Sequence, residues 1–308
     1  MSTCNHRSGA SRLAAWAAAA ALAALALPAQ AATRSFSAQK PADPSGTVEI
    51  VNVAGSIEVT GWNQPTVDVS GTLGDRVERV DVTRSANRTT VRVVLPDGGG
   101  WHGDSEAKLK IRVPQDSSLD VSLVSADLKV SGVGGSHHLQ TVSGDIEGEV
   151  GSGGLQVNTV SGDVHLTAHN GHGAQVKSVS GDVYLSGTSG DLTLNTVSGD
   201  LIATVTELAH ASLESVSGDI KVDAAALAAQ GQVDVTTVSG DLRLHFATPP
   251  DADIDVQSFS GDISNCFGPK PVEEKYGPGS RLNFRSGKGG GRVHVDSKSG
   301  DVELCAGK

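Results

Sequence analysis

The chain has 308 residues with only 3% aromatics and 38 glycines, which excludes a core built on large rings and leaves small and β-branched side chains to fill the interior. Its formal net charge is −11 at pH 7, a sign that argues against nucleic acid or an anionic lipid surface as partner.

At the N-terminus, Arg7 and Arg12 precede the apolar run "LAAWAAAAALAALAL", which is followed by Pro28 and the small-residue site Ala29-Gln30-Ala31. This pattern predicts a secretory signal peptide over residues 1–31, cleaved after Ala31. Cys4 lies before the apolar run, so it is not placed as the lipid-carrying cysteine of a lipoprotein. No other segment is apolar enough to span a bilayer. The mature protein is therefore expected to be exported and soluble, periplasmic or secreted to the cell surface, with a net charge near −13 once two arginines are lost.

Residues 33–118 predict an irregular, strand-rich portion. "RVERVDVTRS", "TTVRVVLP" and "KLKIRVP" alternate polar and apolar residues, and "PDGGGWHGDSE" reads as a flexible loop between them. "VNVAGSIEVTGW" suggests two strands joined at a corner, Ala54-Gly55-Ser56, and "TVDVSGTL" suggests the same idea at Ser70-Gly71.

Residues 119–308 are repetitive. Ser-Gly-Asp begins at Ser143, Ser161, Ser180, Ser198, Ser217, Ser239, Ser260 and Ser299, with a near-match "SAD" at Ser125; the steps are 18, 18, 19, 18, 19, 22, 21 and 39 residues. So regular a step means one structural unit per 18 or 19 residues. On either side of the tripeptide, "LQVNTV" and "DVHLTA" and their equivalents alternate with period two, a strand signal. Leu155, Val157 and Thr159 share one parity, whereas Val160, Val164 and Leu166 share the other, so the chain must bend between the two strands. Glycine can supply the φ > 0 that such a bend often needs, which makes Gly144, Gly162, Gly181, Gly199, Gly218, Gly240, Gly261 and Gly300 the expected structural corners. Two residues before each Ser stands a hydroxyl: Thr141, Thr159, Ser178, Thr196, Ser215, Thr237, Ser258 and Ser297. Stacked there, these hydroxyls are expected to satisfy backbone groups that leave the ladder at the bend.

A two-strand unit of this size cannot bury both faces alone, so successive units are expected to stack. The predicted fold is all-β: a parallel β-solenoid, a single-stranded β-helix of right-handed or flattened type, with about 18–22 residues per coil. The first portion, 33–118, then caps or begins the solenoid, and residues 119–308 form its regular part with a C-terminal cap.

"GTVEIVNVAGSIEVTGWNQPTVDV", the "IRVP" before the repeats and the run of "TVSGD" units together resemble the bacterial putative-adhesin family of β-strand-repeat envelope proteins, formally a domain of unknown function. The resemblance covers about Gly46 to Leu304. It implies a β-helical exported protein without an established enzyme activity, and it supplies no catalytic residues.

In-register coils would align Asp145, Asp163, Asp182, Asp200, Asp219 and Asp241, as calcium β-rolls align acidic turns, and "SGTSGDLTLNTVSGD" sets two such turns nine residues apart. Most coils offer only one Asp, however, and a corner carboxylate can accept hydrogen bonds from its own turn. The structural reading is therefore preferred, and no metal or cofactor is assigned. His165, His169 and His172, with His137 and His138 one coil earlier, fit no zinc spacing and read as a surface cluster. The outward positions after the corner, Glu147, His165, Tyr184, Ile202, Lys221, Arg243, Ser264 and Glu303, change character at every rung. They suggest a mixed solvated face rather than a sugar-cleaving groove. Cys266 and Cys305 each follow a corner Asp by four residues, and in an oxidising compartment these equivalent stations are expected to form a disulfide.

The function expected from these features is a non-catalytic exported envelope scaffold or binding module, with adhesion as one version of that role, whose partner is an envelope protein or polysaccharide. A periplasmic sensing or regulatory accessory is the second reading, a calcium-binding β-roll the third, and a polysaccharide-active enzyme the last.

Overall fold

A computed structural model of the chain describes residues 34–96, 104–273 and 279–307. The expected signal peptide with Cys4, and most of the glycine-rich loop before Ala107, lie outside the described residues.

Every regular element among the described residues is a strand. In Leu155–Ser161 the side chains of Leu155, Val157 and Thr159 are buried, and after the corner Val164 and Leu166 are buried in turn. The inward parity thus changes across the Ser-Gly-Asp bend, as expected. Leu155–Ser161 pairs in parallel with His137–Ser143 on one side and with the second half of Val164–Ser180 on the other, like residue opposite like residue. The strand that follows the corner does the same, the first half of Val164–Ser180 lying between Ile146–Val150 and Val183–Ser198. Two columns of parallel strands meet at the corner and close over one aliphatic core, so the chain is a parallel β-solenoid.

Coil length varies, and the return segment absorbs the variation. Register shifts fall there, between Ser186 and Thr188 or between Leu208 and His210, while the corners stay aligned. In the longest regular coil Leu208 faces Leu227 but His210 faces Gln232, so the extra residues sit in the return.

Thr47–Trp62 is a complete coil with Ala54-Gly55-Ser56 at its corner, where Gly55 has φ 112°. It stacks in parallel on Ser118–Val133, and on its other side it meets Arg88–Val94 and Ala107–Pro114, also in parallel. Beyond these the stack ends in antiparallel strands: Arg79–Ser85 against Arg88–Val94, Thr66–Leu73 against Ala107–Pro114, and Arg34–Pro41 outermost. Ser70-Gly71 is therefore not a corner. It lies within the antiparallel strand Thr66–Leu73, and Gly71 is needed because a β-carbon there would collide with the Lys108 carbonyl oxygen.

At the other end the chain order and the spatial order differ. Ala252–Ser258 and Ile263–Asn265 form the outermost coil, and the last strands then fold back beneath it. Gly291–Ser297 enters between the second half of Ile220–Ser239 and Ala252–Ser258, and Val302–Ala306 enters between Leu242–Phe246 and Ile263–Asn265. The corner glycines therefore stack in the order Gly240, Gly300, Gly261, not in the order of the sequence. Ser280–Ser286 closes this end in antiparallel pairing with Ala252–Ser258. The loop that leads back inside is pinned by Asp251, whose Oδ1 accepts the N–H groups of Lys288, Gly289 and Gly290 at 2.6, 2.6 and 3.2 Å. These bonds, that of Gly290 foremost, hold the Asp251 carboxyl below its ordinary pKa.

Candidate functional site

The Ser-Gly-Asp corner is the most repeated chemistry in the molecule, and its parts have separate jobs. Gly144, Gly181, Gly199, Gly218, Gly240, Gly261 and Gly300 have φ between 125° and 157°. Gly162 does not share this left-handed backbone. What Gly162 does share with the others is crowding: a β-carbon on it would strike the carbonyl oxygen of Gly144 in the neighbouring coil, as one on Gly199 would strike Gly181. Where glycine stacks on glycine the corners approach too closely for a side chain, whereas the first corner, Ser125-Ala126-Asp127, carries the buried Ala126.

The Asp completes the ladder. At each corner the Asp N–H has no carbonyl opposite it, and it donates instead to the Oδ1 of the Asp one coil away: Asp163 to Asp145 at 3.0 Å, Asp182 to Asp163 at 2.9 Å, Asp200 to Asp182 at 2.9 Å, Asp219 to Asp200 at 2.9 Å and Asp241 to Asp219 at 2.8 Å. The row continues through Asp301 and Asp262 and begins at Asp127. The hydrogen bond expected within a turn thus runs between turns. One oxygen of each carboxylate except that of the terminal Asp262 is committed in this way. Among the described residues, the row contributes no group of three donors placed to hold a metal ion.

The hydroxyl position divides into bonded and unbonded groups. Ser178, Ser215 and Ser297 donate to the corner glycine carbonyl three residues on, at 3.3, 3.0 and 3.5 Å. The Oγ1 of Thr141, Thr159, Thr196 and Thr237 and the Oγ of Ser258 are buried without a partner. The expectation holds for three serines and fails for Ser258 and for the threonines, whose β-branch restricts χ1 and whose methyl competes for the same space.

Between that buried hydroxyl and the corner Ser stands an apolar residue that points outward. Val124, Val142, Val160, Val179, Val197, Val216 and Val238 are each 45–48% exposed, and they lie on seven successive coils. Val160 was grouped by parity with Val164 and Leu166, but the bend begins after it, so it faces solvent while they face the core. The signal was present in the sequence: a valine recurring at the polar parity of its own strand. In space the row ends at Lys298, bound to Asp296 at 3.1 Å, and then Phe259.

On the next side, the expected ladder of mixed residues is in place with one change of order, since Glu303 rather than Ser264 adjoins Arg243. Arg243 Nε lies 3.2 Å from Glu303, Lys221 Nζ lies 3.5 Å from Asp223, and His165 packs edge-on against Tyr184 at 4.4 Å between ring centroids. Lys221 and Arg243 are thus paired on this face, whereas Glu147 has no cation within ion-pairing distance among the described residues.

The expected histidine cluster forms only in part: His137, His138 and His172 border one trough, and His165 and His169 are not among its lining residues. His169 pairs with Glu149 at 3.3 Å, and His138 meets Gln140. His137 is 2% exposed and occupies the core position held by Leu119 and Leu155 in the adjoining coils. Its Nε2 donates to the Val133 carbonyl at 3.1 Å, which leaves Nδ1 buried without a partner. Burial pushes its pKa below the ordinary histidine value. An open trough of about 590 Å³ passes over this region, bordered by Asp120, His138, Gln156 and Gln175. Cys266 and Cys305 lie on adjacent coils with a Cα–Cα distance of 4.8 Å and their sulfurs within bonding reach. With Glu303 they are the one group of three metal-capable donors found among the described residues.

A family model described as Toastrack DUF4097 matches residues 56–305. No curated protein matches the chain. Among solved structures, a putative adhesin from Bacteroides fragilis is 16% identical with a TM-score of 0.41, covering 88% of this chain and 97% of its own. A putative lipid binding protein from Parabacteroides distasonis is 14% identical with a TM-score of 0.37, covering 88% and 96%. A putative adhesin from the same organism is 13% identical with a TM-score of 0.38, covering 88% and 97%.

Proposed function

The chain belongs to the Toastrack DUF4097 family, and on that premise we propose that it is a non-catalytic, exported envelope scaffold that binds an envelope protein or polysaccharide through the flanks of its solenoid. The observation that carries this reading is the contrast between ends and flanks. Antiparallel strands close the stack at both ends, where exposed parallel coils would otherwise template further pairing. The flanks instead present unbroken rows of side chains along successive coils, the kind of extended surface that solenoids use for binding. The paired charges of the Lys221 and Arg243 face favour binding over catalysis, because a polysaccharide-cleaving site needs carboxylates and bases directed at a common substrate.

The proposal includes a Cys266–Cys305 disulfide in the oxidising envelope, supported by a Cα separation inside the range that such a bridge requires. It would tie the outermost coil to the strand inserted beneath it.

Crosslinking in intact cells, followed by recovery of the tagged chain and identification of what it carries, tests the reading. The expected result is a processed protein lacking residues 1–31, recovered from the envelope with a reproducible partner. An unprocessed cytoplasmic protein, or one that crosslinks to nothing, would contradict it. A strictly periplasmic location with a regulatory protein as partner would favour the accessory reading over adhesion.

A further inference from the structure

We propose that the valine row Val124–Val238, together with the carboxylate row beside it, is the docking surface for a cationic amphipathic segment of a protein partner. This rests on the reading of the chain as a binding scaffold and names the surface and the chemistry it recognises.

Seven valines on successive rungs spaced about 4.8 Å apart make a ridge roughly 29 Å long. With nearly half of each exposed, the ridge offers on the order of 500 Å² of apolar surface, a size at which patches on monomers are often functional. The core does not need them there, since each coil already buries its own aliphatic set on the inward parity.

The charged half decides the occupant. Three residues beyond each valine stands a corner Asp, and none of Asp127, Asp145, Asp163, Asp182, Asp200, Asp219, Asp241, Asp262 and Asp301 has a Lys, Arg or His within ion-pairing distance among the described residues. Elsewhere among the described residues fourteen acids have such a partner and ten do not, so the corner row is distinguished by having none at all along its length. The corner itself requires only an oxygen to accept the next Asp N–H, which an asparagine would supply without charge. An unneutralised carboxylate row next to an apolar row is complementary to a segment carrying aliphatic residues on one face and Lys or Arg beside them. A second copy of this chain fits poorly. Ridge-to-ridge contact would bury only about 1,000 Å² in total, below the usual size of a stable interface, and would bring two acidic rows together. An amphipathic helix of about 20 residues matches the length of the ridge at 1.5 Å per residue.

The test uses the full chain and a synthetic 20-residue helical peptide with Leu along one face flanked by Lys, together with a twin in which Glu replaces Lys. Binding is measured by fluorescence anisotropy at low and high salt. Two variants accompany the wild type: V142T/V160T/V179T/V197T, and D145N/D163N/D182N/D200N, which keeps an acceptor at each corner. Melting curves confirm that both fold. The expected result is binding of the Leu/Lys peptide that weakens with salt and falls at least tenfold in each variant, with no binding of the Leu/Glu twin. Absence of binding, or binding that neither variant weakens, would overturn the proposal. So would concentration-dependent self-association that the valine changes abolish, which would assign the ridge to a second copy. Binding to phosphatidylcholine vesicles lost in the valine variant, without any peptide preference, would assign it to lipid. If the ridge variants still capture their partner in cells, the ridge is wrong and the scaffold reading survives.

Discussion

At the level of single residues, the corner glycines show most directly how the repeat works. Gly199 combines φ 130° with a collision between any β-carbon and the Gly181 carbonyl, whereas Gly154 has open space around the same position. Gly199→Ala is expected to cost about 3 kcal/mol or more from strain and overpacking, while Gly154→Ala stays within about 0.5 kcal/mol, as read by denaturant unfolding. His137 makes a second case. The folded state holds it neutral and the unfolded state lets it protonate, so its contribution to stability is complete above about pH 6.5 and declines as pH falls below that value. The loss is at most about 1.4 kcal/mol per pH unit for one proton. His137→Leu restores the side chain that Leu119 and Leu155 place in the neighbouring coils. Thermal melts from pH 8 to pH 5 are expected to show the variant holding its midpoint while the wild type declines; parallel declines would show that another group is responsible.

The strands and the bend between them were largely legible in the sequence, because period-two alternation and a change of parity are local facts. Leu155, Val157, Val164 and Leu166 all lie where the pattern put them. Three features were not legible, each because it depends on a neighbouring coil. Gly162 is required by the backbone stacked on it rather than by its own φ. The Asp carboxylate serves the N–H of the next turn rather than its own. The Val160 row faces solvent because the bend begins after it, which parity counting does not locate to the residue. The hydroxyl position gives a prediction at this scale. Ser215 donates to the Gly218 carbonyl, so Ser215→Ala is expected to destabilise by about 1 kcal/mol. Thr159 buries an unpartnered Oγ1, so Thr159→Val, which keeps the shape, is expected to be neutral or stabilising by about 1 kcal/mol. A loss in the Thr159 variant as large as in the Ser215 variant would mean that the threonine hydroxyl does find a partner.

For the whole molecule, the repeat length announced a solenoid but not the order in which its last coils stack. The 39-residue step between Ser260 and Ser299 marks the place where the chain builds the outer coil first and then slides Gly291–Ser297 and Val302–Ala306 beneath it. Nothing local in the sequence encodes that detour, since both coils carry the same corner. The proposed Cys266–Cys305 bridge would lock the inserted strand. Reduction, or Cys305→Ser, is then expected to lower stability by about 2–4 kcal/mol and to raise hydrogen exchange in Val302–Ala306 before the central coils. Unchanged exchange and two alkylatable thiols in unreduced exported protein would remove the bridge.

The solenoid is proposed to close its ends and to bind through its flanks. A photo-crosslinking residue placed in turn at Val160 on the ridge, at Tyr184 on the mixed face and at Thr83 on the N-terminal closing strand, then activated in living cells, tests this most directly. Adducts with another envelope component are expected from Val160 or Tyr184, and none with a second copy from Thr83. Self-adducts from Thr83, with the flank positions silent, would show an end-to-end assembler and contradict the account.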